Sequence, residues 1–65
     1  MFDYDNFLGR RFSLREGLVL HVFYFVAFDR SLDRVFLQPV SGGPRQPVPS
    51  TAFDAGLLTG DVEEI

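Results

Sequence analysis

The sequence predicts an all-β domain, a small and strongly bent antiparallel barrel, on three observations. Residues 18–28 form an eleven-residue run dense in β-branched and aromatic side chains, with no polar stripe at helical spacing. Residues 10–15 alternate, with Phe12 and Leu14 pointing one way and Arg11, Ser13 and Arg15 the other, which is the period of a half-buried strand. Glycines and prolines then punctuate the chain at Gly17, Gly42, Gly43, Pro44, Pro47 and Pro49, where turns and extended connections belong.

The elements follow in order. Residues 1–9 are a lead-in whose Phe2, Tyr4, Phe7 and Leu8 fold back over the core. Residues 10–15 are the first strand, Glu16-Gly17 the turn, and 18–28 the long second strand. Residues 29–34 turn the chain again. With Ser31 and Leu32 at the tip, Arg30 faces Asp33 and Asp29 faces Arg34, both pairs of opposite charge. Residues 35–40 are the partner strand, and Pro39 marks an edge or a bulge. After the 41–44 turn, residues 45–49 are extended, because each proline pushes its predecessor away from helix. Ser50 or Thr51 caps a single short helical turn, with Asp54 reaching back toward the first amides and Gly56 ending it. Residues 57–59 read as the short last strand, and the chain ends in an acidic segment. The expected organisation is one domain over 1–65: lead-in 1–9, barrel 10–60 and acidic C-terminal segment 61–65. This order resembles an SH3-like barrel, in which one helical turn precedes the last strand. The resemblance is to a fold and by itself implies no function.

Composition narrows the chemistry. The chain has 65 residues, of which 46% are hydrophobic and 15% aromatic, too apolar for a disordered tail and too short for a multidomain enzyme. Without cysteine there is neither a disulfide scaffold nor a thiolate metal site, and no cofactor is expected. A domain this small buries only about 60% of the surface of its unfolded chain, so it needs a staple or a partner. Eight Phe and two Tyr offer dense aromatic packing in that role. The net charge of −3 argues against a general nucleic-acid binder. The start, Met1-Phe2-Asp3-Tyr4-Asp5, lacks the basic character of a signal peptide, and an eleven-residue apolar run is too short to cross a bilayer. A cytoplasmic protein with no membrane partner is the expectation. The exclusive use of arginine among the basic residues hints at a GC-rich bacterial or phage source.

The long strand poses a problem of burial. Leu18, Leu20, Val22, Tyr24, Val26 and Phe28 face one way, and Val19, His21, Phe23, Phe25 and Ala27 the other. The hairpin register sets Val35 and Leu37 beside the first group and Phe36 and Val40 beside the second. Antiparallel strands of small domains ordinarily keep one wet face. Three resolutions exist: a bulge that lets both halves reach the core, internal cover by the N-terminal aromatics and the last segment, or a second chain.

The expected function is therefore a non-enzymatic protein–protein interaction module. Its candidate interface is Leu20, Val22, Tyr24, Val26 and Leu37, and its partner is a further copy of itself or a larger protein, in the manner of a phage or accessory adaptor or inhibitor. The alternative is a nucleic-acid-binding barrel using Arg10, Arg11 and Arg15 with nearby aromatics. His21 lies in the most apolar strand with no partnered nucleophile on its face, and reads as a core or interface histidine. Asp29 and Asp33 interleave with Arg30 and Arg34 and read as ion pairs. Residues 42–45 are a turn with no following phosphate-binding helix. Pro44 and Pro47 have the spacing of a proline-rich ligand but read as a rigid connection.

Overall fold

The computed structural model describes residues 2–65 and is built on five antiparallel strands and one helix. The strands are β1 (Arg11–Glu16), β2 (Val19–Asp29), β3 (Arg34–Pro39), β4 (Gln46–Pro49) and β5 (Val62–Glu64), and α1 spans Ser50–Thr59. Their order across the sheet is β4-β3-β2-β1-β5. β4 and β5 are the two edges and are not hydrogen-bonded to one another, so the sheet is not closed. α1 crosses between these edges over one face. Beneath it the seam is lined by Leu14, Val48, Phe53 and Val62.

The lead-in behaves as expected of its aromatics. Asp3 caps a 3-10 turn at Tyr4–Phe7 by accepting from the Asp5 amide, and Gly9 N–H donates to the Phe25 carbonyl at 2.8 Å, pinning the turn to β2. Tyr4 is buried and Phe2 and Phe7 pack against the core, while Leu8 stays exposed. Tyr4, Phe7, Phe12, Phe25 and Phe53 form one cluster: Phe7–Phe12 ring centroids lie 5.1 Å apart, and Tyr4–Phe25 and Phe25–Phe53 5.4 Å. Tilted and edge-on rings at these separations add about 0.5–1.5 kcal/mol per pair beyond area burial. This cluster takes the place of a disulfide.

β2 resolves its two-faced apolarity with a bulge. Pairing with β3 runs Asp29↔Arg34, Phe28↔Val35 and Ala27↔Phe36, as the opposite-charge turn predicts, and then slips by one at Val26 to Phe25↔Leu37 and Tyr24↔Gln38. An extra residue on one strand shifts every later side chain to the other face. The core therefore takes Phe23 and Phe25 from one alternating set and Phe28 from the other.

Several expectations are corrected. Leu37, placed on the outer face by an unbroken register, is 1% exposed and belongs to the core, because the bulge sets it beside Phe25 instead of Val26. Pro39 ends β3, which is an interior strand, and its missing N–H costs nothing there. The edge role of proline falls to Pro47 and Pro49 in β4. The helix is ten residues long, not a single turn. Gly56 continues it, since its bare Cα lets Val62 approach closely, and Gly60, at φ 89°, terminates it through an N–H bond to the Gly56 carbonyl. The residues expected as the last strand, 57–59, are thus helical. The real last strand is Val62–Glu64, inside the expected acidic tail. Among the described residues no helix is long and apolar enough to cross a membrane.

Candidate functional site

The sheet has a covered face and an uncovered one. The 3-10 turn and α1 lie on the first. On the second, cross-strand neighbours place Arg11 beside Tyr24, Ser13 beside Val22 and Arg15 beside Leu20, with Val40 N–H donating to the Val22 carbonyl at 3.0 Å. Past the bulge the same face continues with Ala27, Phe36 and Pro47. The apolar centre is exposed: Leu20 56%, Val40 43% and Tyr24 39%, with Val22 and Phe36 half-buried. Of the expected interface, Leu20, Val22 and Tyr24 sit together on this surface. Val26 is the half-buried bulge residue, and Leu37 is on the opposite side. Val40 and Phe36 also belong to this surface, although an unbroken register sets them with the opposite group, because the bulge at Val26 reverses the alternation.

β2 also outruns its neighbour. Its register with β3 starts at Phe23↔Pro39, so residues 19–21 pair only with β1. Leu18, in the connecting turn, is fully exposed, and Val19 and Leu20 are more than half exposed. Where β3 turns away, a notch forms between Leu20 to Phe23 on one side and Pro39 to Gly42 on the other, and Gln46 also lines it.

The arginines expected to act together are divided. Arg10 lies before β1 and binds Glu64 at 2.8 Å, as its attraction to the acidic terminus suggests. Arg11 and Arg15 point to the uncovered face and make no ion pair among the described residues. Arg45 joins this face with its guanidinium 6.0 Å from the Phe36 ring centroid, within cation–π range. His21 lies on the opposite side of β2, its Nε2 3.7 Å from Glu16 and its side chain 46% exposed, so it is a surface residue and not a core one. Ser13 is turned away from it and donates to the Glu63 carbonyl at 3.5 Å.

The aspartates near the β2–β3 turn serve as caps in place of the expected ion pairs. Asp29 accepts from Ser31 Oγ at 2.6 Å and from the Ser31 and Leu32 amides, and the Ser31 hydrogen bond chiefly holds its carboxyl below the usual carboxylate range. Asp33, in the left-handed region at φ 54°, serves the start of α1. Its carbonyl accepts from Ser50 N–H at 2.9 Å, and its carboxylate from the Ser50 and Thr51 hydroxyls. Pro49, which precedes the helix, has no side chain able to do this. Arg30 lies over the Tyr4 ring, 4.1 Å from its centroid.

Tyr4 anchors the lead-in to the helix. Its hydroxyl donates to the Asp54 carboxylate and to the Ser50 carbonyl. Burial, then the bond to Asp54 and that group's charge, push its phenol up to about 12. Asp54 therefore holds the tyrosine instead of capping its own helix. A buried tyrosine with a raised pKa is a poor proton donor at neutral pH and reads as structural. Among the described residues no group of three or more His, Asp or Glu side chains is placed to hold a metal ion. Compared with family models, curated proteins and solved structures, the chain matches none.

Proposed function

We propose that the protein is a non-enzymatic protein-docking module that works through the uncovered face of its sheet. One observation carries the reading: helix and aromatic turn bury Phe12, Phe23 and Phe25 on one face, while on the other Leu20, Tyr24 and Val40 are exposed together beside half-buried Val22 and Phe36. Contiguous exposed apolar residues on a small domain mark an interface, and a half-exposed Tyr24 at the centre is the kind of side chain that dominates contact energy. The proposal also takes the sheet as an opened, SH3-like small barrel. The pairing of β1 with the last strand, and a helix bridging the two edges, support that view.

The test compares the wild-type chain with the Leu20→Asp, Val40→Asp variant in two assays: light scattering over a wide concentration range and selection of binders from an unbiased displayed-peptide library. The reading expects association or peptide binding that the variant loses while keeping its circular dichroism spectrum. Binding and association identical in both chains would overturn it.

A second reading, a nucleic-acid interface, draws on Arg11 and Arg15 standing beside Tyr24 and Leu20. It loses Arg10, which is held by Glu64. It requires oligonucleotide binding that weakens steeply with salt and fails in Arg11→Glu.

A further inference from the structure

We propose that the uncovered face takes an acidic, aliphatic polypeptide segment of another protein, and not a second copy of itself laid face to face. This rests on the docking reading above. Its basis is the way the fold separates charge. Four of the six arginines, Arg11, Arg15, Arg34 and Arg45, stand on the uncovered face or its rim, with three of the nine acids, Asp29, Asp61 and Glu63. That face carries +1 in side-chain charge, and the remaining two arginines and six acids give −4, for the total of −3. An overall acidic protein therefore presents a basic rim around an apolar centre.

A two-fold, face-to-face dimer would press together two faces of the same net charge. Repulsion between like charges brought closer than the Debye length, about 8 Å at physiological salt, is only partly screened. An acidic segment meets the opposite situation. Leu20, Val22 and Val40 offer aliphatic area to its apolar side chains, and Arg11, Arg15 and Arg45 offer guanidinium forks to its carboxylates. Beside the notch, residues 19–21 of β2 have no neighbour on their β3 side, so an extended segment can lie along them as an added strand. A single-stranded nucleic acid fits less well. It needs a succession of open aromatic platforms, whereas Tyr24 is the one exposed aromatic ring on this face among the described residues and Phe36 is half-buried beneath Arg45.

The experiment uses short synthetic peptides in which Leu and Val alternate with Glu, with Gln or with Lys, and an oligothymidylate, titrated against the full chain by fluorescence anisotropy at low and physiological salt. The Glu peptide is expected to bind best and to weaken with salt. Arg11→Glu and Arg15→Glu should each weaken it about tenfold, the size expected for reversing a charge at a partly exposed pair. The double reversal should prefer the Lys peptide. No binding of the Glu peptide, equal binding of the Lys peptide, preference for the oligonucleotide, or a dimer that forms at the expense of peptide binding would each overturn the inference. In those cases the Leu20→Asp, Val40→Asp variant decides the parent reading. Loss of whatever binding is seen retains the docking face, and insensitivity removes it as well.

Discussion

Replacing Tyr4 with Phe isolates the hydroxyl that ties the first residues to α1. The ring, its aromatic neighbours and the Arg30 stacking remain. What is lost is the donor to the Asp54 carboxylate and the Ser50 carbonyl. A hydrogen bond to a charged partner is worth about 1.5–3 kcal/mol net, so a loss of about 2 kcal/mol at pH 7 is expected. At about 4–8 °C per kcal/mol for a domain of this size, the melting temperature should fall by roughly 10–15 °C. The pH dependence supplies a second reading of the same contact. The folded-state phenol sits at about 12 against an ordinary 10.0. Between those values the unfolded chain has released its proton and the folded chain has kept it, so wild-type stability falls as pH rises from about 10 to about 12. Two pKa units correspond to about 2–3 kcal/mol. The advantage of wild type over Tyr4→Phe should therefore be full at pH 7 to 9 and gone above pH 12. Urea unfolding followed by circular dichroism across this range measures both chains. A variant within about 0.5 kcal/mol of wild type at pH 7, small against the value of one such bond, or a difference that does not change above pH 10, would refute the argument.

Two further outcomes follow from α1. Gly56→Ala, which in an exposed helix gains about 1 kcal/mol, should here destabilise by about 1–3 kcal/mol, because the new methyl group would collide with Val62 Cγ2 and lift β5; thermal melts that show stabilisation would contradict the packing of α1 on β5. Asp33→Ala should cost about 1–2 kcal/mol, from the lost hydroxyl contacts and from strain at φ 54°. Asp33→Gly should recover the strain part alone, and equal melting temperatures for the two variants would rule that division out.

Much of the sheet was legible in the chain. The alternation of 10–15, the density of β-formers in 18–28 and the turn at 41–44 each act locally and each led to the right element. The pairing Asp29↔Arg34 was legible for the same reason, since opposite charges next to a turn fix a register. The register beyond Ala27 was not. Nothing in Phe25-Val26-Ala27 marks Val26 as the extra residue, because the bulge is chosen by what it buries from both sets, a property of the assembled core. That one slip misplaced Leu37, Phe36 and Val40 together, so three of the errors at the candidate site have a single cause. The length of α1 was hidden differently. Gly56 reads as a helix stop in isolation, and only the proximity of Val62, six residues on, gives a reason for glycine within the helix. The caps supplied by Asp33 and the grip of Asp54 on Tyr4 join residues 17 and 50 positions apart, beyond the reach of local patterns.

The pairing of β1 with Val62–Glu64 also governs when the fold can form. Leu14 meets Val62 and Ile65 N–H reaches the Arg11 carbonyl, so the two halves of this ladder are separated by nearly the whole length of the sequence. The residues of the β1–β2–β3 meander all precede Ser50, whereas Phe53 and Val62, which complete its core, follow in the chain. Closing so long a loop before any of its contacts form is an entropic barrier, and topologies dominated by such contacts fold slowly. During that interval the same aromatic side chains that later interlock are accessible to solvent and to other molecules. The seam is thus completed only by Val62–Glu64, the short strand that its charge pattern disguises as a tail.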